Sequence, residues 1–229
     1  MNQNAPQQDW VKNRRLRLYL MRHGEIESAL DGRLCGHTDA KLSWAGIEQS
    51  HRLANELEAV PLAAVYTSDL GRAVFAAQLI AGTHGLTPLP IRDLREANMG
   101  DWEGRPLAEI ALAQPQMVSC LFTDPSTFRY PGGESFADFR ARVDAATCEI
   151  FAAHREGEIA VVAHGGVCRL IIGGLLDVPP GNLLRLSQDF GCVNVVDVFD
   201  GQPLVSLLNY IPGTGGIDSM SHWDIDSLE

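Results

Sequence analysis

LRLYLMRHGEIES, residues 16–28, is an apolar run that stops abruptly on Arg22-His23-Gly24. Leu16 to Met21 predicts a strand. An ordinary loop has little reason to begin with a cation, an imidazole and a glycine. The same pattern returns far along the chain, where the apolar stretch Glu158 to Ala163 ends on His164-Gly165-Gly166. Strands that close on functional side chains are expected where a sheet presents its carboxyl ends to a ligand.

The intervening residues support that geometry. Ser43 is placed as the N-cap of a helix with Trp44, Ile47, His51, Ala54 and Leu57 along one side. Ala63 to Thr67 reads as a second strand, and Ser68 as the cap of a helix running to about Ala81. Pro88 to Ile91 gives a short strand before the loop DLREANMGDWEG. Residues 106–130 are irregular, with helical pieces broken near Pro115 and Pro125. PGGES then opens a helix whose Phe136, Phe139, Val143, Ala146 and Ile150 keep three-four spacing. A helix to about Leu176 follows the second histidine. Strands Val193 to Phe199 and Leu204 to Tyr210 meet at a turn on Asp200-Gly201. Alternating strands and helices predict a single-domain three-layer α/β/α sandwich with a mainly parallel sheet. Residues 1–13 are expected to be a frayed N-terminal segment, 14–212 the folded domain, and 213–229 a loosely held tail.

With 229 residues the chain is long enough for one sizeable core. Its net charge of −11 disfavours nucleic acid and anionic membranes as partners, so a bound anion needs a local basic pocket. Five scattered cysteines without a CxxC pair read as free thiols in a reducing compartment. The N-terminus lacks the apolar core of a signal peptide and no run is long enough to span a membrane, so cytoplasmic residence is the expectation. Oligomeric state is left open, a homodimer included.

Four groups fall at strand ends: Arg22 and His23, Arg72 within TSDLGRA, Glu96 within LREANMGDWEG, and His164. Together they suit a phosphoryl group. Arginine is permanently charged and its planar fork matches phosphate oxygens. A neutral histidine is a competent nucleophile, a second and cationic histidine balances transition-state charge, and a protonated carboxyl supplies the leaving alcohol with its proton. Glycine after each histidine allows close backbone approach to a ligand. Arg72 gains weight from lying just past the Ser68 cap, since helix N-termini favour anions. No HExxH, Asp cluster or Walker loop calls for a metal or nucleotide cofactor.

The segments RHGE (22–25), GRLCGHTDAKLSWAGIEQS (32–50), SDLGRA (68–73), LREANMGDWEG (94–104), PGGES (131–135) and AHGG (163–166), in this order, resemble the phosphoglycerate-mutase-like branch of the histidine phosphatase superfamily. The resemblance spans roughly residues 16–200. It implies a metal-independent phosphomonoesterase that needs no cofactor and acts on a small phosphorylated metabolite. His23 would become phosphohistidine. Arg22, Arg72, His164 and the backbone of Gly165 would form the phosphate pocket, and Glu96 would be the proton donor. Arg33, Cys35 and Gly36 lie where relatives contact substrate. Three positions depart from the family pattern: Ala29 replaces a common phosphate-contacting Asn, Ile26 a frequent Thr, and Ala76 another. None is a charged catalytic group.

The alternatives are a phosphoglycerate mutase and a weakly active phosphate-binding protein on the same fold. Mutases of this branch carry paired arginines before the GGE motif, whereas residues 105–130 offer only Arg105 and Arg129. Asp93, Asp101 and Glu103 compete with Glu96 for the acid role. His37 and Arg129 are candidates for a substrate mouth, with solvated loop positions the alternative. Trp102 is either pocket wall or core anchor. Glu25 is assigned a supporting or surface place, and His51, His84, His154 and His222 structural ones. Candidate substrates include sugar phosphates, phosphoglycerates and nucleotide-like monoesters such as α-ribazole phosphate.

Overall fold

Residues 14–213 are described by a computed structural model. The expectations for residues 1–13 and for the tail from 214 onward lie outside the described residues. Six strands form one sheet: β1 (Arg14–Arg22), β2 (Leu62–Ser68), β3 (Leu89–Ile91), β4 (Gly157–Ala163), β5 (Val193–Phe199) and β6 (Gln202–Tyr210). Their spatial order is β3-β2-β4-β1-β5-β6. The first four are parallel, and β5 and β6 add an antiparallel hairpin at one edge. Asp200 and Gly201, with φ of 48° and 85°, make the left-handed two-residue turn that such a hairpin favours.

The helices among the described residues are α1 (Trp44–Leu57), α2 (Gly71–Thr83), α3 (Leu107–Ala113), α4 (Pro115–Thr123), α5 (Phe136–Ala153) and α6 (Gly165–Leu175). Alternation along β1 divides them into two outer layers. Leu16, Leu18 and Leu20 face α5 and α6, packing with Phe139, Val143, Ile150, Val167 and Ile171. Tyr19 and Met21 face α1 and α2, packing with Leu53, Leu57, Ala73, Ala77 and Ile80. No helix among the described residues is long and apolar enough to cross a membrane.

Local sequence explains most boundaries. Ser43 caps α1 by accepting from the Gly46 amide at 3.1 Å. At α5, Ser135 and Asp138 form a capping box. Pro115 begins α4 at the position where a missing amide costs nothing, and Pro125 begins a short 3₁₀ turn. Trp102 proves to be a core anchor. It is fully buried, packs against Phe128 and Tyr130, and donates from Nε1 to Gln114 Oε1 at 2.9 Å.

Two details differ from the sequence reading. The buried face of α1 is Gly46, Ser50, Leu53, Ala54 and Leu57, while Trp44 is 85% exposed and His51 is also exposed. The cause is a backbone contact between Gly24, just after β1, and Gly46. A Cβ on Gly24 would overlap the Gly46 carbonyl, and one on Gly46 would overlap the Glu25 carbonyl. That approach sets the rotation of α1 and turns Trp44 outward. Gly24 therefore serves chain packing, where close approach to a ligand was expected. The second difference is α2, which starts at Gly71 with Leu70 as N-cap. Its first amide is held by Asp39 Oδ1 at 2.9 Å, while Ser68 Oγ accepts from the Leu70 amide at 3.4 Å, ahead of the helix, and makes its shorter bond to His164.

Candidate active site

Strand order assembles the site. β1 and β4 are neighbours with Arg22 opposite Ala163, so His23 and His164 emerge side by side, their ring centroids 5.0 Å apart. β2 lies on the other side of β4 and ends at Ser68, whose Oγ shares a 2.8 Å hydrogen bond with His164 Nε2. Arg72 enters from the first turn of α2 and donates from Nε to His23 Nε2 at 3.2 Å. All three charged or titratable side chains are buried: His23 is 3% exposed, Arg72 2% and His164 1%.

The tautomer of His23 follows from its partners. Nδ1 lies 2.6 Å from the Gly24 carbonyl, which accepts but never donates, so Nδ1 carries the proton. Nε2 is then a lone pair, consistent with the Arg72 Nε–H directed at it. Burial, reinforced by the charges of Arg72 and Arg22, holds the His23 pKa well below the ordinary imidazole value. His164 is displaced the same way, by burial first and then by Arg72, His23 and Arg22. Both rings are therefore neutral near pH 7.

Arg22 stacks over the Phe190 ring, its Cζ 3.6 Å from the centroid, and donates from Nη1 to the Gln188 carbonyl at 2.6 Å. Its Nε is buried without a hydrogen-bond partner, as is His164 Nδ1. Unsatisfied buried polar atoms are uncommon because each costs roughly 1–3 kcal/mol. Gly165 keeps close quarters with two guanidinium groups. An added Cβ would lie 3.3 Å from Arg22 Nε and 3.1 Å from Arg169 Nη1. The guanidinium of Arg169 thus adds a cation beside Arg22.

Glu96 is nearly buried, with Oε1 accepting from the Ala97 amide at 2.9 Å and Oε2 from the Gly166 amide at 2.8 Å. A side chain at Gly166 would collide with this carboxyl. Arg142 fixes the loop behind it, donating to the carbonyls of Asp93, Arg95 and Glu96 at 2.7–2.8 Å and bidentately to Glu134 at 2.7 and 2.9 Å. Among the competing acids, Glu103 is occupied otherwise. It accepts from the amides of Gly36, His37, Thr38 and Met99 at 2.8–3.3 Å. Burial opposes its ionisation, yet those hydrogen bonds bring its pKa below the usual carboxylate value.

Gly36 joins the site through its backbone, since its carbonyl and that of Thr38 accept from Arg72 Nη2 and Nη1 at 2.6 and 2.7 Å. Cys35 donates to the Thr38 carbonyl, and burial raises its pKa, so it is a protonated structural thiol. Arg33, half-exposed, donates from Nη1 to the Gly104 carbonyl at 2.8 Å and lies 3.6 Å from Asp31. Arg129 is paired with Asp138 at 2.9 Å, and Glu25 accepts from Ser43 Oγ at 2.7 Å. His37 Nε2 is buried without a partner, beside an open groove. His154 bonds the Tyr66 hydroxyl, while His222 lies outside the described residues.

Sequence reasoning did not single out Arg169, Arg142 or Phe190, and took Ser68 for a cap. Arg169 lies four residues after Gly165, on the same face of α6, and that spacing was an available signal. The others are joined to the site only by long-range contacts. No cluster of three His, Cys, Asp or Glu side chains suited to a metal ion occurs among the described residues.

Residues 18–211 match the histidine phosphatase superfamily (branch 1). The chain is 30% identical over 194 residues to an adenosylcobalamin/alpha-ribazole phosphatase of Escherichia coli (strain K12), covering 85% of this chain and 96% of that protein. It is 36% identical over 188 residues to phosphoglycerate mutase-like protein 4 of Arabidopsis thaliana, covering 80% of each. The crystal structure of the alpha-ribazole phosphatase from Shigella flexneri matches with a TM-score of 0.78 at 30% identity, over 85% of this chain and 96% of that one.

Proposed function

Because this chain belongs to the histidine phosphatase superfamily, we propose that it is a metal-independent phosphomonoesterase acting through phosphohistidine at His23 on a small phosphorylated metabolite. The observation that carries this reading is the buried, unprotonated Nε2 of His23, set by the Nδ1–Gly24 hydrogen bond and facing Arg72.

In the first step the Nε2 lone pair forms a bond to phosphorus as the P–O ester bond breaks. The departing oxygen keeps the bonding electrons and takes a proton from Glu96. Arg22 and Arg72 bind the phosphoryl oxygens, and the unpartnered Arg22 Nε and His164 Nδ1 gain an oxygen partner on substrate binding. Burial first, and then the neighbouring cations, keep His164 neutral at rest; the dianion offsets the second of these and so favours a proton on His164 in the loaded site. In the second step Glu96 accepts a proton from water. The oxygen bonds phosphorus, the P–N bond breaks, and inorganic phosphate leaves.

Water is favoured over a second hydroxyl as acceptor. Arg105 is paired with Glu109 at 2.7 Å and Arg129 with Asp138, so neither stands ready as the basic pair a mutase uses on a substrate carboxylate. The five cysteines, all free thiols, support a cytoplasmic location. Phosphate release from a panel of monoesters in EDTA tests the proposal. Wild type is expected to turn over, and His23→Ala to stay folded with no release above background. Activity in that variant, or loss of wild-type activity with EDTA that metal restores, removes this mechanism.

A further inference from the structure

Next to Glu96 lies a pocket of about 280 Å³ whose wall is built from Leu121, Phe128, Phe136, Phe139, Leu170 and Leu183. It is distinct from the phosphoryl cluster but shares Glu96, Gly166 and Arg169 with it, so a group leaving through Glu96 departs into this space. Resting on the phosphatase reading above, we propose that this pocket holds the alcohol portion of the substrate. It selects a phosphomonoester with one uncharged, apolar body the size of a bicyclic ring or a medium alkyl chain.

Three features carry the choice of class. The volume is roughly twice the ~150 Å³ that accommodates a benzene ring in an apolar cavity. Apart from the Tyr130 hydroxyl, the polar side chains of the wall are already engaged, so an entering hydroxyl-rich body recovers few of the hydrogen bonds it gives up to water. Ser135 Oγ donates to Asp138 Oδ2 at 2.6 Å, Glu96 accepts two backbone amides, and Arg169 Nε donates to the Leu186 carbonyl at 2.9 Å. Finally, Arg169 is the one Arg or Lys lining the pocket, and its Nη1 lies toward Gly165, at the phosphoryl end. A second acidic group, such as a carboxylate, therefore finds no further cation along the apolar wall.

The test uses n-alkyl phosphates from ethyl to octyl, whose leaving alcohols are of similar acidity, beside glucose 6-phosphate and 3-phosphoglycerate. Turnover is read as kcat/KM, and binding of the matching n-alkylphosphonates by calorimetry, which needs no chemistry. Both are expected to rise by about fourfold per methylene until the chain fills the pocket. The two polar-bodied esters are expected to fall near ethyl phosphate. Leu121→Asn and Leu184→Asn, at half-exposed positions of the wall, should each make the rise shallower. Chain-length-independent turnover and binding overturn the assignment. Rising phosphonate affinity with no phosphate released from any ester upholds the pocket and sinks the phosphatase reading instead.

Discussion

At the scale of single residues, the site depends on which atoms already have partners. His23 has its proton committed to Gly24 and its Nε2 lone pair turned to Arg72. Glu96 is held by two amides and is the carboxyl shared by the phosphoryl cluster and the apolar pocket. Glu96→Gln is accordingly expected to slow alkyl phosphates by about 10²–10⁴-fold, and 4-nitrophenyl phosphate far less, because a good leaving group needs little proton donation. Equal slowing of both assigns the proton to another group. Glu103 acts one contact further out, ordering the loop whose carbonyls hold Arg72. Charge-assisted hydrogen bonds of that kind contribute roughly 1.5–3 kcal/mol each. Glu103→Ala should raise KM by about tenfold or more, and an unchanged KM would separate that loop from phosphate binding. His23, His164 and the arginines were legible because each sits in a short local pattern. Ser68 was misread, since its hydroxyl is used by a histidine 96 residues away.

At the scale of elements, two glycines in helices have opposite roles. Gly46 in α1 meets the backbone of Glu25, so Gly46→Ala pushes the helix off the β1 loop and is expected to cost about 1–3 kcal/mol. Gly82 in α2 is exposed with open space where a Cβ would go. Gly82→Ala should stabilise by about 0.5–1 kcal/mol, chiefly by restricting the unfolded chain. Denaturant midpoints of the two variants are expected to move in opposite directions; a shift of the same sign would undo the packing argument. The spacing of α5 identified its buried face correctly, since Phe139, Val143, Ala146 and Ile150 all pack inward. The equivalent reading of α1 placed Ala54 and Leu57 correctly and missed on Trp44 and His51, because a backbone-to-backbone contact is invisible in side-chain spacing.

At the scale of the whole molecule, folding buries two neutral histidines among arginines. Their folded pKa values are depressed, so the unfolded chain binds more protons as pH falls through about 6.5. The sign is then clear: full stability lies above that pH and is lost below it, by up to about 1.4 kcal/mol per pH unit for each histidine. Urea midpoints measured from pH 7.5 to 5.5 should fall steeply, and less so in His164→Asn. A flat wild-type profile would mean that the rings titrate alike in the folded and unfolded chain, and stability rising as pH falls would mean that they are charged in the fold. The depressed carboxylates Asp69 and Glu103 contribute their own loss only at lower pH, near the ordinary carboxylate range.

The sequence by itself determined the layers and the strand ends, and it brought forward His23, His164, Arg22, Arg72 and Glu96, which the fold gathers at one edge of the sheet. Hydrophobic period and short motifs are local properties, and a chain carries them without being folded. Only the tertiary structure decided the tautomer of His23, the recruitment of Ser68, Arg142 and Arg169, and the apolar pocket beside Glu96. Each of these depends on distance between residues far apart in sequence, and that distance is set by strand order and close packing.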